Sequence, residues 1–401
     1  MTRTSADRVA QETRGARVLV SGGDGFCGWP SALHLSSLGF DVTIVDNLSR
    51  RRIDRELGTS SLTPIRSMQA RIAAWRRVSG REIGFRRLTL GSAYGDLVAL
   101  LRAERPAAIV HFAEQRSAPY SINGARGMRY TVTNNLGGTH DLLCAIVEAR
   151  LWDTHLVHLG SVGVYGYRTA GAGIPEGYLP VMVTTHDGPK EIEILYPADP
   201  GSIYHMTKCQ DALFFYYYNK NYGLRITDLH QGIVWGTQTK ETMLAPELVN
   251  RFDYCGHYGT VLNRFLVQAA LGRPLTVHGS GEQTRAFIHI RDTVRCIELA
   301  VRSPLDNRKR VRIINQVAET RRVVDLARQI SALTGVPWRS VANPRNEDAA
   351  NEFDVDNGTL VSLGLKPATL ADGLMDEVRE VAGRFKHRCD LARMEALTAW
   401  R

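Results

Sequence analysis

The chain reads as an α/β protein built on a doubly wound parallel sheet, with helices on both faces and a smaller C-terminal lobe. Three observations lead there. Short apolar runs alternate with segments of helical spacing through the first half. The first apolar run ends in glycines immediately before a helical segment. After about residue 237 the alternation fades.

Residues 16–22 (ARVLVSG) form the first strand candidate, and 26–39 carry the first helical spacing. Further strands are expected at 41–47, 85–91, 107–114 and 155–161. A long helix is expected to start at Tyr204, followed by a strand over 224–236. Residues 48–80 exceed an ordinary strand–helix connection and suggest an inserted lid or binding element. The expected organisation is a frayed extension over 1–15, a main unit over 16–236, and a substrate-binding lobe over 237–401 with some segments returning to the main unit.

At 401 residues and 44% apolar, the chain is long enough to bury a large core. The formal charge of +9 is spread along the chain. It favours a small diphosphate-bearing substrate over nucleic acid, even with the Arg-rich stretch at 71–87. Six widely spaced cysteines form no CxxC pair or Cys/His cluster, so reduced thiols, a cytoplasmic location and no metal site are expected. No apolar run reaches the roughly 18–20 residues of a membrane helix, and the first residues lack an apolar signal core.

The first strand runs into Gly22-x-x-Gly25-x-x-Gly28. Glycines at this spacing permit a tight turn, backbone approach to a pyrophosphate and close helix–strand packing. The following helix offers free N–H groups to phosphate. Asp46 stands 18 positions past Gly28, at the end of the next strand. A carboxylate there accepts hydrogen bonds from ribose hydroxyls and repels a 2′-phosphate, which favours NAD over NADP. The sheet is therefore expected to be Rossmann-like. Phe26 and Cys27 inside the turn, and Asn47, Arg50 and Arg51 after Asp46, join the expected cofactor site.

Tyr204 and Lys208 are four apart and share a helix face. A nearby ammonium favours the phenolate, lowering the tyrosine pKa from about 10 towards neutrality, so Tyr204 is a candidate base. Ser161 ends a strand and is placed to share the proton. His205 by itself reads as a satisfied helix histidine. Arg116 follows the strand 107–114 at its carboxyl end, where ligands sit in such sheets, and is a candidate for an anion; Gln115 beside it is assigned to the substrate too. Arg285, after a Gly-rich turn, suits a bidentate diphosphate contact. Asn263, Arg264 and Arg345, with Thr276, Asn135 and Gln231, complete the candidate substrate residues. Taken singly, residues such as Arg264 and Arg345 are more often surface groups.

On these motifs the chain resembles the extended short-chain dehydrogenase/reductases, and within them the UDP-sulfoquinovose synthases. The segments carrying the resemblance over about 16–370 include GGDGFCGWPSALHLS, VDNLSRR, EQRSAPYS, YHMTK, LNRFLVQAA and GEQTRAFIHIRDT. The resemblance implies a homodimer with NAD that oxidises C4 of a UDP-glucose-like sugar, eliminates water across C5–C6, adds sulfite at C6 and returns hydride to C4. It makes Ser161, Tyr204 and Lys208 the catalytic set, places His205 and Arg116 near the reacting sugar and sulfite, and gives Asn263, Arg285 and Arg345 to the nucleotide sugar. The chain departs from the pattern in three places. Val164 stands where the synthases carry Glu, Val162-Gly163 where 4,6-dehydratases carry Asp-Glu, and Ser92 where Asp is usual. A 4-epimerase or dehydratase on the same scaffold is the alternative. A non-catalytic NAD-sensing protein is disfavoured by the intact Tyr204 and Lys208.

Overall fold

The computed structural model describes residues 15–166, 173–196, 199–304, 310–345, 348–351, 353–372 and 375–395. Five strands of the main sheet come in order: β1 (Arg17–Ser21), β2 (Asp41–Val45), β3 (Ile83–Arg86), β4 (Ala108–His111) and β5 (His155–Leu159). A hairpin of β6 (Tyr178–Thr185) and β7 (Gly188–Leu195) follows, then β8 (Arg225–Gln231), β9 (Ile233–Trp235), β10 (Leu275–His278), β11 (Thr284–His289) and β12 (Arg312–Gln316). The main sheet has seven strands in the order β12-β8-β5-β4-β1-β2-β3, every pair parallel. Chain order reverses at β1, between β4 and β2, which leaves a crevice beyond the carboxyl ends of the strands.

Strand alternation sends Val18 and Val20 of β1 to one face and Leu19 to the other. On the first face they pack with Trp29 and Leu33 of α1 (Gly28–Ser37) and with Ile297 of a later helix. Between them lie α2 (Ser49–Glu56), α3 (Met68–Ser79), α4 (Tyr94–Glu104) and α5 (Ala118–Ser121). Leu19 joins Leu142 and Ile146 of α6 (Gly124–Glu148) and Phe215 of α7 (Ile203–Tyr222). Each such fully buried aliphatic side chain contributes about 1.5–3 kcal/mol.

The stretch 48–80 is two helices, α2 and α3. The Ser67 hydroxyl caps α3 by accepting from Ala70 N at 3.2 Å. Arg71 of the Arg-rich stretch is fully buried; it donates to Asp24 at 2.9 Å and lies 3.9 Å over the Trp29 ring. That arginine ties α3 to the glycine turn.

Two sequence expectations shift. Only 83–86 of the third-strand region is extended; 87–91 lies outside the strand. The expected strand 224–236 breaks at Gly232, where a Cβ would stand 2.9 Å from the Ala286 carbonyl oxygen. Its second part, β9, leaves the main sheet to pair with β11. In the other direction, β12 returns from the C-terminal half to form the sheet edge beside β8. The expected frayed extension falls outside the described residues except at residue 15.

Candidate active site

A cavity of about 440 Å³ opens beyond the carboxyl ends of β1, β4, β5 and β8. Its floor is the glycine turn. Gly22 has φ +80°. A Cβ on it would stand 2.6 Å from the Phe112 carbonyl carbon, and one on Gly28 would overlap the carbonyl oxygen of Gly22. Only glycine lets turn, strand and helix approach this closely. Gly22, Gly25, Phe26, Cys27 and Gly28 all line the cavity. The turn leads straight into the N-terminus of α1, whose first N–H groups suit a pyrophosphate. Burial pushes the Cys27 thiol up to about 11.

A smaller adjoining cavity of about 70 Å³ is lined by Asp46, Asn47, Gly91 and Asn134 and shares Gly22, Gly25 and Arg50 with the first. The Asp46 carboxylate accepts from Asp24 N at 2.8 Å and Leu48 N at 2.6 Å. Burial, with Asp24 adding to it, raises its pKa to about 6. Asn47 Oδ1 accepts from Ser49 N. These groups have the shape and chemistry to hold the adenosine half of a dinucleotide. Arg51 is turned elsewhere: it binds Asp24 at 2.6 and 2.7 Å.

Tyr204 and Lys208 project from α7 into the main cavity, opposite Ser161 at the end of β5. The Ser161 hydroxyl accepts from Gly163 N at 3.1 Å and lies close enough to Tyr204 to favour its phenolate. The Lys208 ammonium sits 5.9 Å from the Tyr204 ring centroid. It donates to the Leu159 carbonyl at 2.7 Å and pairs with Glu114 at 2.6 Å. The expected lowering of the tyrosine pKa is reversed in this structure. Burial raises it, and the opposing pull of Lys208 is insufficient, with Glu114 adding to the rise. Burial alone would make Lys208 less basic, but the Glu114 carboxylate holds it well above its ordinary value.

Glu114 in turn accepts from His158 at 2.9 Å, and His158 contacts Asp228 at 2.7 Å. Against burial and the Lys208 charge, Asp228 and Glu114 hold the His158 pKa near 9. Glu114, His158 and Asp211 come within metal-binding distances of one another. Lys208 already supplies the cation there.

His205 is also at the cavity, its Nδ1 3.1 Å from the Ser202 hydroxyl. Burial first, then Arg345 and Arg285, lowers its pKa to about 3, so the imidazole is neutral near pH 7. Arg116 lines the same wall and binds Asp253 at 2.5 Å. Asp253 also accepts from Arg50 at 3.0 Å, and the Arg50 guanidinium stacks 3.6 Å from the Tyr258 ring centroid. Arg116, Arg264, Arg285, Arg345 and His278 line an adjoining cavity of about 200 Å³. Burial, then Arg264 and Arg345, lowers His278 to about 3, so the imidazole is neutral near pH 7 beside these two guanidinium groups.

The remaining candidates divide. Gln231 lines the main cavity and donates to Thr293 at 3.4 Å. Gln115 lines it too and accepts from Tyr258. Asn135 is fully buried and clamps the strand end, donating to the Gln115 carbonyl and Thr207 at 3.1 Å each. Asn263 is buried against the Asp253 carbonyl at 3.3 Å, and Thr276 is bound to Gln268 at 2.8 Å; neither lines a described cavity. The sequence reading assigned no role to Glu114, Asp253 or Tyr258. Glu114 carried one signal, a carboxylate directly after a strand's carboxyl end; the other two lie where no periodic pattern marks them.

Residues 18–315 match the model of the NAD dependent epimerase/dehydratase family. The chain is 43% identical to the chloroplastic UDP-sulfoquinovose synthase of Spinacia oleracea over 392 residues, covering 96% of this chain and 79% of that one. It is 37% identical to the UDP-sulfoquinovose synthase of Sulfolobus acidocaldarius over 88% of each chain. The Thermus thermophilus UDP-glucose 4-epimerase, solved with NAD, shares the fold with a TM-score of 0.64 at 20% identity, covering 92% of this chain and 99% of that one.

Proposed function

This chain belongs to the NAD dependent epimerase/dehydratase family, and on that premise we propose that it converts UDP-glucose and sulfite to a UDP-sulfosugar. The observation carrying the reading is the convergence of Tyr204, Ser161 and Lys208 with the glycine turn on one cavity, beside a recess lined by Arg264, Arg285 and Arg345. The positive recess suits a nucleoside diphosphate. The sugar then reaches back to the phenol.

Bound NAD supplies the hydride acceptor and, later, the donor. Tyr204 takes the C4 hydroxyl proton, with Ser161 sharing the hydrogen bond and Lys208 orienting the phenol. Arg116 is the cationic group assigned to sulfite. Incubation with UDP-glucose, with and without sulfite, tests the reading: a UDP-sugar heavier by the sulfonate supports it, and UDP-galactose as the product refutes it. The 4-epimerase reading has one observation in its favour, the absence of carboxylates at Val162, Gly163 and Val164.

The homodimer is part of the proposal. Met128 and Val132 of α6, and Leu213, Tyr216 and Tyr217 of α7, are exposed apolar side chains on two packed helices. A second copy covering that surface would appear as doubled mass in sedimentation. The six free cysteines suit a reducing compartment such as the cytoplasm.

A further inference from the structure

We propose that Asp199 is the acid–base group for the carbon skeleton of the sugar, carrying a proton from C5 to the departing C6 hydroxyl. This assignment rests on the reaction proposed above.

The loop 161–166 at the cavity carries no carboxylate. Val162 and Val164 are buried in an apolar cluster with Ile174 and Cys209. Two gaps in the loop are filled by side chains from the segment that leads into and begins α7. A Cβ on Gly163 would overlap the His205 ring. A Cβ on Gly166 would stand 2.5 Å from a carboxylate oxygen of Asp199. Gly166 has φ +72°, where any other residue is strained. The two segments are joined by Asp199 N donating to the Val164 carbonyl at 3.3 Å. Asp199 is thereby lodged on the cavity wall and lines it, together with His205 and Gly201.

The other carboxylates of the cavity have other work. Glu114 is held by Lys208 and His158. Asp253 is held by Arg50 and Arg116. Asp348 comes from the loop that carries Arg345, on the nucleotide side. Among the described residues Asp199 makes no ion pair and no side-chain hydrogen bond; it is exposed to solvent where it lines the cavity, with its carboxylate packed against Gly166. His205, held neutral, is a poor proton donor to a leaving hydroxyl.

The step balances on one carboxylate. With C4 held as a ketone, C5–H is acidified. The Asp199 carboxylate takes that proton reversibly, and as an exposed acid it exchanges it with solvent; the C5–C6 double bond forms as the C6–O bond breaks, and the carboxylic acid gives one proton to the departing oxygen. One water leaves, and Asp199 ends as it began.

The test is a single turnover of the NAD-loaded enzyme with UDP-glucose in deuterated water without sulfite. Cofactor reduction is followed by absorbance, and deuterium at C5 of the recovered sugar by mass spectrometry and NMR. Asp199→Asn is expected to leave UDP-glucose affinity and cofactor reduction near wild type while slowing C5 exchange by about 10²–10⁴-fold, the size of a general acid–base contribution. Asp199→Glu should recover part of the exchange. Exchange at the wild-type rate in Asp199→Asn, or loss of reduction and exchange together, overturns the assignment. A wild-type enzyme that never reduces its cofactor with UDP-glucose overturns the proposed reaction itself. One that reduces it without exchanging C5 overturns only the elimination and the role of Asp199.

Discussion

The Lys208 ammonium lies 2.6 Å from a carboxylate oxygen of Glu114, with both side chains about 4% exposed. The cation beneath the catalytic phenol is therefore neutralised from the opposite side, and burial prevails at Tyr204. The phenol rests protonated, and extra positive charge at the cavity is what would favour its phenolate.

A buried pair of this kind is costly to halve. Glu114→Gln or Lys208→Met alone is expected to destabilise the fold by about 3–5 kcal/mol, because each leaves an uncompensated buried group. The double variant should regain much of that stability while remaining inactive. Denaturant unfolding of the three variants checks this; equal stability of single and double variants would contradict it.

Tyr204→Phe is expected to lower C4 oxidation by about 10²–10⁴-fold, the scale of a lost general base. The glycine turn and Asp46 are untouched, so NAD affinity should hold. Calorimetric NAD titration beside single-turnover reduction separates the two effects.

Arg116→Ala removes a charge-assisted contact worth about 1.5–3 kcal/mol, so the KM for sulfite should rise by roughly 10- to 150-fold. The KM for UDP-glucose should change little. An unchanged sulfite dependence would separate Arg116 from the anion.

His34 contacts Glu241 at 2.9 Å and Glu298 at 2.8 Å, joining the helix after the glycine turn to two distant segments. Burial opposes its charge, but the two carboxylates raise its pKa from 6.5 to about 9. A raised cation pKa stabilises fully below 6.5, and that stability is lost as pH rises through 9. Burial opposes the two glutamates as well, yet His34, joined at Glu298 by Arg295, lowers each from 4.5 to about 2, so their contribution holds above 4.5 and fades as pH falls towards 2. Thermal stability should show a plateau between those limits, and His34→Gln should flatten the alkaline decline. An unchanged alkaline slope in the variant would contradict this.

The local signals were legible in the sequence. Gly22-x-x-Gly25-x-x-Gly28 is a turn whose spacing states its own geometry, and Tyr204 and Lys208 share a face because they lie one helical turn apart. What stayed hidden depends on distant partners. Helical spacing shows Lys208 beside Tyr204 but not Glu114, ninety-four positions upstream, and so misjudges the direction of the phenol's shift. Arg51 follows Asp46 closely in sequence, yet Asp24 takes its guanidinium. The edge strand β12 lies in a region without clean alternation, and only its pairing with β8 reveals it. Asn263 and Thr276 have polar side chains of the right type, and only the structure shows what they meet, the Asp253 carbonyl for the one and Gln268 for the other.

The most direct measurement is a single turnover with UDP-glucose deuterated at C4, followed by mass analysis of the bound dinucleotide. Deuterium on the reduced nicotinamide of the wild type, and its absence in Tyr204→Phe, is the expected result. An unlabelled cofactor in the wild type, or equal labelling in both proteins, would contradict C4 oxidation with Tyr204 as its base.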